Sequence, residues 1–218
     1  MKLAGQLGLT GLAATAALGL TATAAAAATT TIHSGSATGP AYSGSVTASL
    51  LGTATVATSL GSGSCTSSTL TGSISSNGTG LNISSATFTG TGSGGACAGS
   101  GISATVTAQN LPWSGGSAVY SPVSGGKDAN ITIANFKVKA VVNILGGITC
   151  YYGGNLTAPG YNPNNPNKPV SSTHAETAIN GASVSLASGS NFFCPGTATV
   201  TATYALTGAG GVDLYVTS

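Results

Sequence analysis

Apolar and hydroxyl-bearing residues alternate with a period of two along much of this chain. Val46, Ala48 and Leu50 interleave with Ser45, Thr47 and Ser49, and Ala54 and Val56 keep the same phase. A strand points successive side chains to opposite faces, so this pattern predicts strands with one buried and one solvated face. Glycine and proline punctuate the runs at Gly39-Pro40, Gly52 and Gly146-Gly147. Asn77-Gly78 separates Thr66–Ser75 from Gly80–Thr89, a strong local hairpin signal. The phase slips at Ser84-Ser85, between Leu81/Ile83 and Ala86/Phe88, and again at Ala134-Asn135, between Ile131/Ile133 and Phe136/Val138/Ala140. One extra residue in a strand produces such a slip, so a β-bulge is predicted at each. Further strands are predicted over Ile102–Gln109, Ala178–Ala187, Thr197–Leu206 and Val212–Val216. The expected fold is all-β: an antiparallel β-sandwich, immunoglobulin-like with Greek-key connections or a jelly roll, carrying two disulfides.

Charge is nearly absent. Only 4% of the residues are Asp, Glu, Lys or Arg, against about 25% in ordinary globular domains. None lies between Thr29 and Gly126. The later ones are Lys127, Lys137, Lys139 and Lys168 against Asp128, Glu176 and Asp213. No basic footprint for nucleic acid or for an anionic membrane surface exists in this set. Disordered chains combine high net charge with low hydrophobicity, and this chain has neither. An ordered domain with a neutral, hydroxyl-covered surface is expected, and little electrostatic repulsion opposes self-association.

Residues 1–28 have the layout of a secretory signal peptide: Lys2, an uncharged Leu/Ala/Gly run, then small residues at Ala24–Ala28. Cleavage would leave residues 29–218 as one domain. Cys65, Cys97, Cys150 and Cys194 are even in number in an exported chain, so two disulfides are expected, with three connectivities open. Their spacings are too wide for a zinc site. The two halves, about 29–125 and 126–218, resemble each other. L-N-I-S-S-A-T-F precedes Cys97 and I-N-G-A-S-V-S-L precedes Cys194, and A-T-V-T-A recurs at Ala104–Ala108 and Ala198–Ala202. Read as a repeat, this favours Cys65–Cys97 and Cys150–Cys194, one disulfide per half.

Candidate binding residues are aromatic. Asn110-Leu-Pro-Trp113 ends a strand or marks an edge, because Pro112 cannot donate to a ladder; Trp113 is either a core plug or a stacking platform. Tyr151, Tyr152 and Tyr161 accompany a Pro- and Asn-rich stretch, Asn155–Val170, predicted to be one extended loop and the best candidate binding surface. Lys137 and Lys139 are read as an outward face that discourages edge pairing. Catalytic patterns fail: there is no G-x-S-x-G elbow, no phosphate loop and no acid pair at glycosidase spacing. His174 and Glu176, two apart, form at most a weak base–orienter pair, and His33 lies near the mature N-terminus, where order is expected to be poorest. No cofactor or metal is expected.

The segment carrying Cys65-Thr66, Ala86–Gly90, Cys97 and Asn110–Trp113 resembles a group of small secreted bacterial proteins, common in actinobacteria, with little assigned function. More remotely it is similar to the secreted family described as activators of alkane oxidation. The resemblance implies an extracellular, non-enzymatic β protein that meets apolar material or cell-surface matrix. The expected function is a secreted structural or interaction protein of the cell surface or matrix, not an enzyme. Its expected partners are further copies of itself or surface components. The alternative is a binding module for a carbohydrate or apolar small molecule using Trp113, Tyr151, Tyr152 and Tyr161.

Overall fold

The computed structural model describes residues 29–99, 103–144 and 146–218. The proposed signal peptide, Ile102 and Leu145 lie outside the described residues. Thirteen strands are described: β1 Thr31–Ser34, β2 Gly44–Thr58, β3 Gly61–Cys65, β4 Ser67–Ile74, β5 Thr79–Thr89, β6 Cys97–Gly99, β7 Ser103–Ala108, β8 Trp113–Tyr120, β9 Ala129–Val142, β10 Ile148–Tyr161, β11 Ala175–Leu186, β12 Thr197–Gly208 and β13 Leu214–Thr217. All pairings are antiparallel, and the disulfides are Cys65–Cys97 and Cys150–Cys194.

The strands assemble into eight staves. β3 and β4 both pair with β2, from Thr58↔Gly61 to Gly44↔Ile74, and so form one long second stave. β5 with β6 forms the third, and β7 with β8 the fourth, since β7 and β8 both pair with β9. β9, β10 and β11 follow as neighbours, and β12 returns to pair with β2 from Thr199↔Ala57 to Gly208↔Val46. The result is a closed up-and-down barrel in which each stave pairs with its sequence neighbours and the eighth closes on the first. All-β, antiparallel and twice cross-linked, it matches the expected class, but the connectivity departs from a sandwich with Greek-key or jelly-roll crossovers. The two expected layers are opposite walls of one closed sheet. Alternation looks the same in both architectures; the β12–β2 seam decides between them, and closure leaves no free edge among the described staves. Lys137 and Lys139 therefore do not guard an edge: β9 is paired on both sides, and the Lys137 ammonium stands 5.9 Å from the Tyr151 ring centre.

Both predicted bulges form. The β4–β5 register slips at Ser84, between Thr71↔Ser85 and Gly72↔Ile83. The β9–β10 register slips between Gly154↔Phe136 and Leu156↔Ile133. There Asn135 takes φ 56°, its backbone N–H donates to Asn155 Oδ1 (3.1 Å) and its Nδ2 donates to Ser114 O (2.9 Å). At the Asn77-Gly78 turn only Gly78 has positive φ (74°), while Asn77 Oδ1 accepts from the Thr79 N–H (3.1 Å).

Two extents differ from expectation. β10 runs on through Tyr161, so only residues 162–174 form the loop. Pro159 is tolerated because its polar edge faces a stretch where the β10–β11 register is interrupted, between Gly153↔Ser185 and Gly160↔Thr177; its carbonyl accepts instead from Thr177 Oγ1 (3.1 Å). β7 ends at Ala108, as the Asn110–Trp113 stretch predicts, but Trp113 then opens an unforeseen β8: Asn110 (φ 55°) and the cis Leu111–Pro112 bond join two segments of one stave. The segments matched between halves occupy equivalent staves: Leu81–Phe88 the third and Ile179–Leu186 the seventh, Ala104–Ala108 the fourth and Ala198–Ala202 the eighth.

Inward positions are apolar and outward ones carry hydroxyls. On β12, Ala198, Ala202 and Tyr204 are buried while Thr197, Thr199 and Thr201 are exposed. A barrel that faces lipid shows the reverse alternation. Among the described residues no helix is long and apolar enough to cross a membrane, and the two disulfides fit an oxidising compartment.

Candidate functional site

Meander order gives the barrel two different ends. The connections 75–78, 121–128 and 162–174 share one end with the paired strands β1 and β13. The connections 59–60, 143–147 and 187–196 share the other.

The first end is closed by a hydrogen-bonded cap. Asn162 exchanges two bonds with Val216, through Nδ2 to Val216 O (3.0 Å) and from Val216 N to Oδ1 (2.8 Å). Asp128 Oδ2 accepts from the Asn162 N–H (2.7 Å) and from Asn165 Nδ2 (2.8 Å). Glu176 is wholly buried, with Oε2 accepting from the Val170 N–H (3.0 Å) and Oε1 from the Ser172 N–H (3.1 Å). Lys168 donates to the carbonyls of Ser172 and His174. Asn162 and Asn165, from the stretch expected to form a binding surface, are thus engaged within the cap, Asn165 Nδ2 donating also to Gly126 O (2.8 Å). Nor does His174 meet Glu176: its Nδ1 pairs with Asp213 Oδ1 at 2.6 Å, half exposed. Far from being poorly ordered, His33 lies in β1, with Nδ1 at 2.7 Å from Gly39 O and Nε2 at 3.1 Å from Thr217 Oγ1.

The other end is apolar. Leu60 is 62% exposed, Phe193 52% and Phe192 84%, the two Phe rings lying 3.9 Å apart. No Asp, Glu, Lys or Arg occurs in 59–60, 143–147 or 187–196. Leu60 and Phe193 line a cavity that continues into the barrel, with a volume of about 340 Å³. Its wall is mainly apolar, and many inward positions hold alanine, including Ala48, Ala54, Ala104, Ala140 and Ala198. Those small side chains are why the barrel is not filled by its own core, although eight staves enclose only enough room for side chains or one small ligand.

The four expected aromatic site residues do not converge. Trp113 is 1% exposed, packed 4.9 Å from the Phe136 ring centre, with Nε1 donating to Gln109 O (2.8 Å). Tyr152 lines the cavity, and its hydroxyl donates to Pro195 O (3.0 Å). Tyr161 also borders the cavity, whereas Tyr151 lies beside Lys137 and Gly189 and is not part of the lining. Within the barrel Tyr204 and Ser68, 6% and 2% exposed, bring their hydroxyls to 3.1 Å. Burial raises the Tyr152 phenol above its ordinary pKa. It raises that of Tyr204 as well, against a smaller lowering by the Ser68 hydrogen bond.

Sequence reasoning missed the cavity, Glu176 as the anchor of the cap, and the Ser68–Tyr204 pair. Glu176, an acid in an apolar strand, carried a usable signal. The cavity carried a weaker one, alanine recurring at inward strand positions. Among the described residues no group of three or more His, Cys, Asp or Glu could hold a metal ion. Comparison with protein-family models, with curated proteins and with solved structures finds no match to this chain.

Proposed function

We propose that this protein is a secreted binding protein that holds an apolar small molecule inside its barrel, loaded through the Leu60/Phe193 end. The observation that carries this reading is the apolar cavity of about 340 Å³, within the size range of ligand pockets. Around an apolar cavity of that size the lining side chains lack packing partners on their inner side, and the forgone contacts are unfavourable. Larger residues in place of a few inward alanines would remove it, so retention of the void favours an occupant. A carbohydrate fits poorly, because its hydroxyls would meet a mainly apolar wall. The reading is one of binding rather than catalysis, in keeping with the catalytic patterns missing from the sequence. Extracellular placement is supported by the disulfides, the signal-peptide-like residues 1–28 and the resemblance to secreted bacterial proteins.

The test is titration of the purified protein with an environment-sensitive apolar dye, followed by displacement with long-chain compounds. Saturable one-to-one binding, lost at least tenfold in Ala198→Phe with the fold intact by circular dichroism, is the expected result. Absence of saturable binding would sink the reading.

A second reading, self-association or matrix contact, is favoured by the exposed Phe192, Phe193 and Leu60 on a charge-free rim. Size-exclusion chromatography of wild type against a Phe192→Ser/Phe193→Ser variant decides it; a monomer at all concentrations would count against it.

A further inference from the structure

The wall of the cavity is not uniformly inert, and its polar groups differ in what they have left to offer. Thr177 Oγ1 donates to Pro159 O, and the Tyr152 hydroxyl donates to Pro195 O, so each hydrogen has an acceptor. Glu176 borders the cavity, but both carboxylate oxygens already accept backbone N–H groups. Tyr204 borders the cavity as well, and its hydroxyl meets that of Ser68, which is buried beside it without belonging to the lining. Two hydroxyls carry two hydrogens, and the single bond between them, 3.1 Å long, uses one. Among the described residues the second hydrogen has no acceptor. Both groups are buried, and a hydroxyl hydrogen left unmatched in an apolar setting is unfavourable.

The register places this pair across three adjacent staves. Tyr204 on β12 lies opposite Leu50 of β2, and Ser68 follows Leu50's level on β4, one step beyond the Ser49↔Thr69 pair. β12 runs from Thr197 at the open end to Gly208 at the closed one, so Tyr204 sits deep, past the level of Ala198 and Ala202. A molecule entering past Phe193 would reach it end-on. Among the described residues the lining includes no Lys, Arg or His, so a carboxylate head would find no cation, and it would approach Glu176, an acid.

We infer that the Ser68–Tyr204 hydroxyl pair is the polar anchor of the barrel, and that the ligand is a neutral, elongated apolar molecule with one carbonyl-type hydrogen-bond acceptor. The inference rests on the binding function proposed above and names its ligand class. The phenol raised by burial stays protonated, and able to donate, throughout the neutral and mildly alkaline range.

Dye displacement by three probes of equal chain length tests it: a long-chain methyl ketone, the alkane and the carboxylate. The ketone is expected to bind about tenfold more tightly than the alkane, the equivalent of one good hydrogen bond, with the carboxylate weakest at neutral pH. In a Tyr204→Phe/Ser68→Ala variant, checked for fold by circular dichroism, ketone and alkane should bind alike. The carbonyl stretch of the bound ketone should lie at lower wavenumber in wild type than in that variant. Equal binding of ketone and alkane to wild type, or a preference that survives in the variant, overturns the anchor while leaving the binding cavity standing. Tightest binding by the carboxylate overturns the ligand class. Failure of all three probes to displace dye, or of dye to bind, overturns the binding function and the anchor together.

Discussion

At the closed end of the barrel, Asp128, Asn162, Asn165, Lys168 and Glu176 tie loop 162–174 to its surroundings through polar contacts, and β1 pairs with β13 beneath the staves. At the open end two disulfides add covalent ties to the hydrogen bonds of connection 187–196, among them the Tyr151 N–H to Ser190 Oγ (2.9 Å) and the Asn191 N–H to Thr149 O (2.9 Å). Cys65–Cys97 joins the second and third staves, and Cys150–Cys194 ties the sixth to the connection before the eighth. Five of the seven charged residues after Lys2 belong to the closed end, whereas the described open-end connections have none. A polar cap needs many matched donors and acceptors and fills space. Disulfides constrain chain without filling it, and so leave an aperture beside Leu60 and Phe193. The contrast shows how one barrel is shut at one end and held open at the other without becoming loose.

The largest test of that division is removal of the open-end disulfides. Cys150→Ser with Cys194→Ser opens a loop of 44 residues, and loop-closure entropy puts the loss at about 4 kcal/mol. Urea denaturation measures it. A loss below about 1 kcal/mol would mean that the open end does not depend on its covalent tie.

At the closed end, Glu176→Ala is expected to cost about 2 kcal/mol, because the Val170 and Ser172 N–H groups lose the buried side chain that accepts from both. Amide exchange at Val170 and Ser172 should accelerate while the open-end strands stay protected. Uniform acceleration would deny the cap its local role.

Alkaline pH probes the interior between the two ends. Burial lifts the Tyr152 and Tyr204 phenols, so above pH about 10 the unfolded chain releases protons that the folded chain retains. Fewer protons on the unfolded state means that stability falls as pH rises through the unfolded value. The limiting slope is about 1.4 kcal/mol per pH unit for each such tyrosine. Tyr204→Phe should flatten the loss, with the midpoint of urea unfolding followed between pH 8 and 11. An unchanged slope in that variant would remove Tyr204 as a contributor.

The smallest effect is expected at the rim. Phe192→Ser with Phe193→Ser should change stability by no more than about 0.5 kcal/mol, because both rings are exposed. A larger loss would make the pair part of the core rather than the border of an aperture.

Much of the wall is legible in the sequence. The period-two alternation, the Ser84-Ser85 and Ala134-Asn135 bulges, the Asn77-Gly78 turn and the favoured cysteine pairing are local or repeat signals, carried by residues close in sequence. The site was much less legible. Trp113, Tyr151, Tyr152 and Tyr161 stand out as large aromatics, yet side-chain direction depends on stave phase, which sends Tyr152 inward and its neighbour Tyr151 away from the cavity. Ser68 and Tyr204 are 136 residues apart, and nothing local marks either as a partner of the other. Pro159 looked like a loop residue because proline lacks a donor; an interrupted ladder elsewhere in the fold made room for it.

What the sequence determined by itself is the strand content, the apolar-in, hydroxyl-out faces and a nearly charge-free surface, because each depends on residue type and spacing alone. Only the tertiary structure decided that the sheet closes on itself, that one end is capped and the other open, and that the alanine-lined interior remains hollow. Those outcomes depend on β12 meeting β2 and on volumes summed across eight staves, and neither quantity exists in any single stretch of chain.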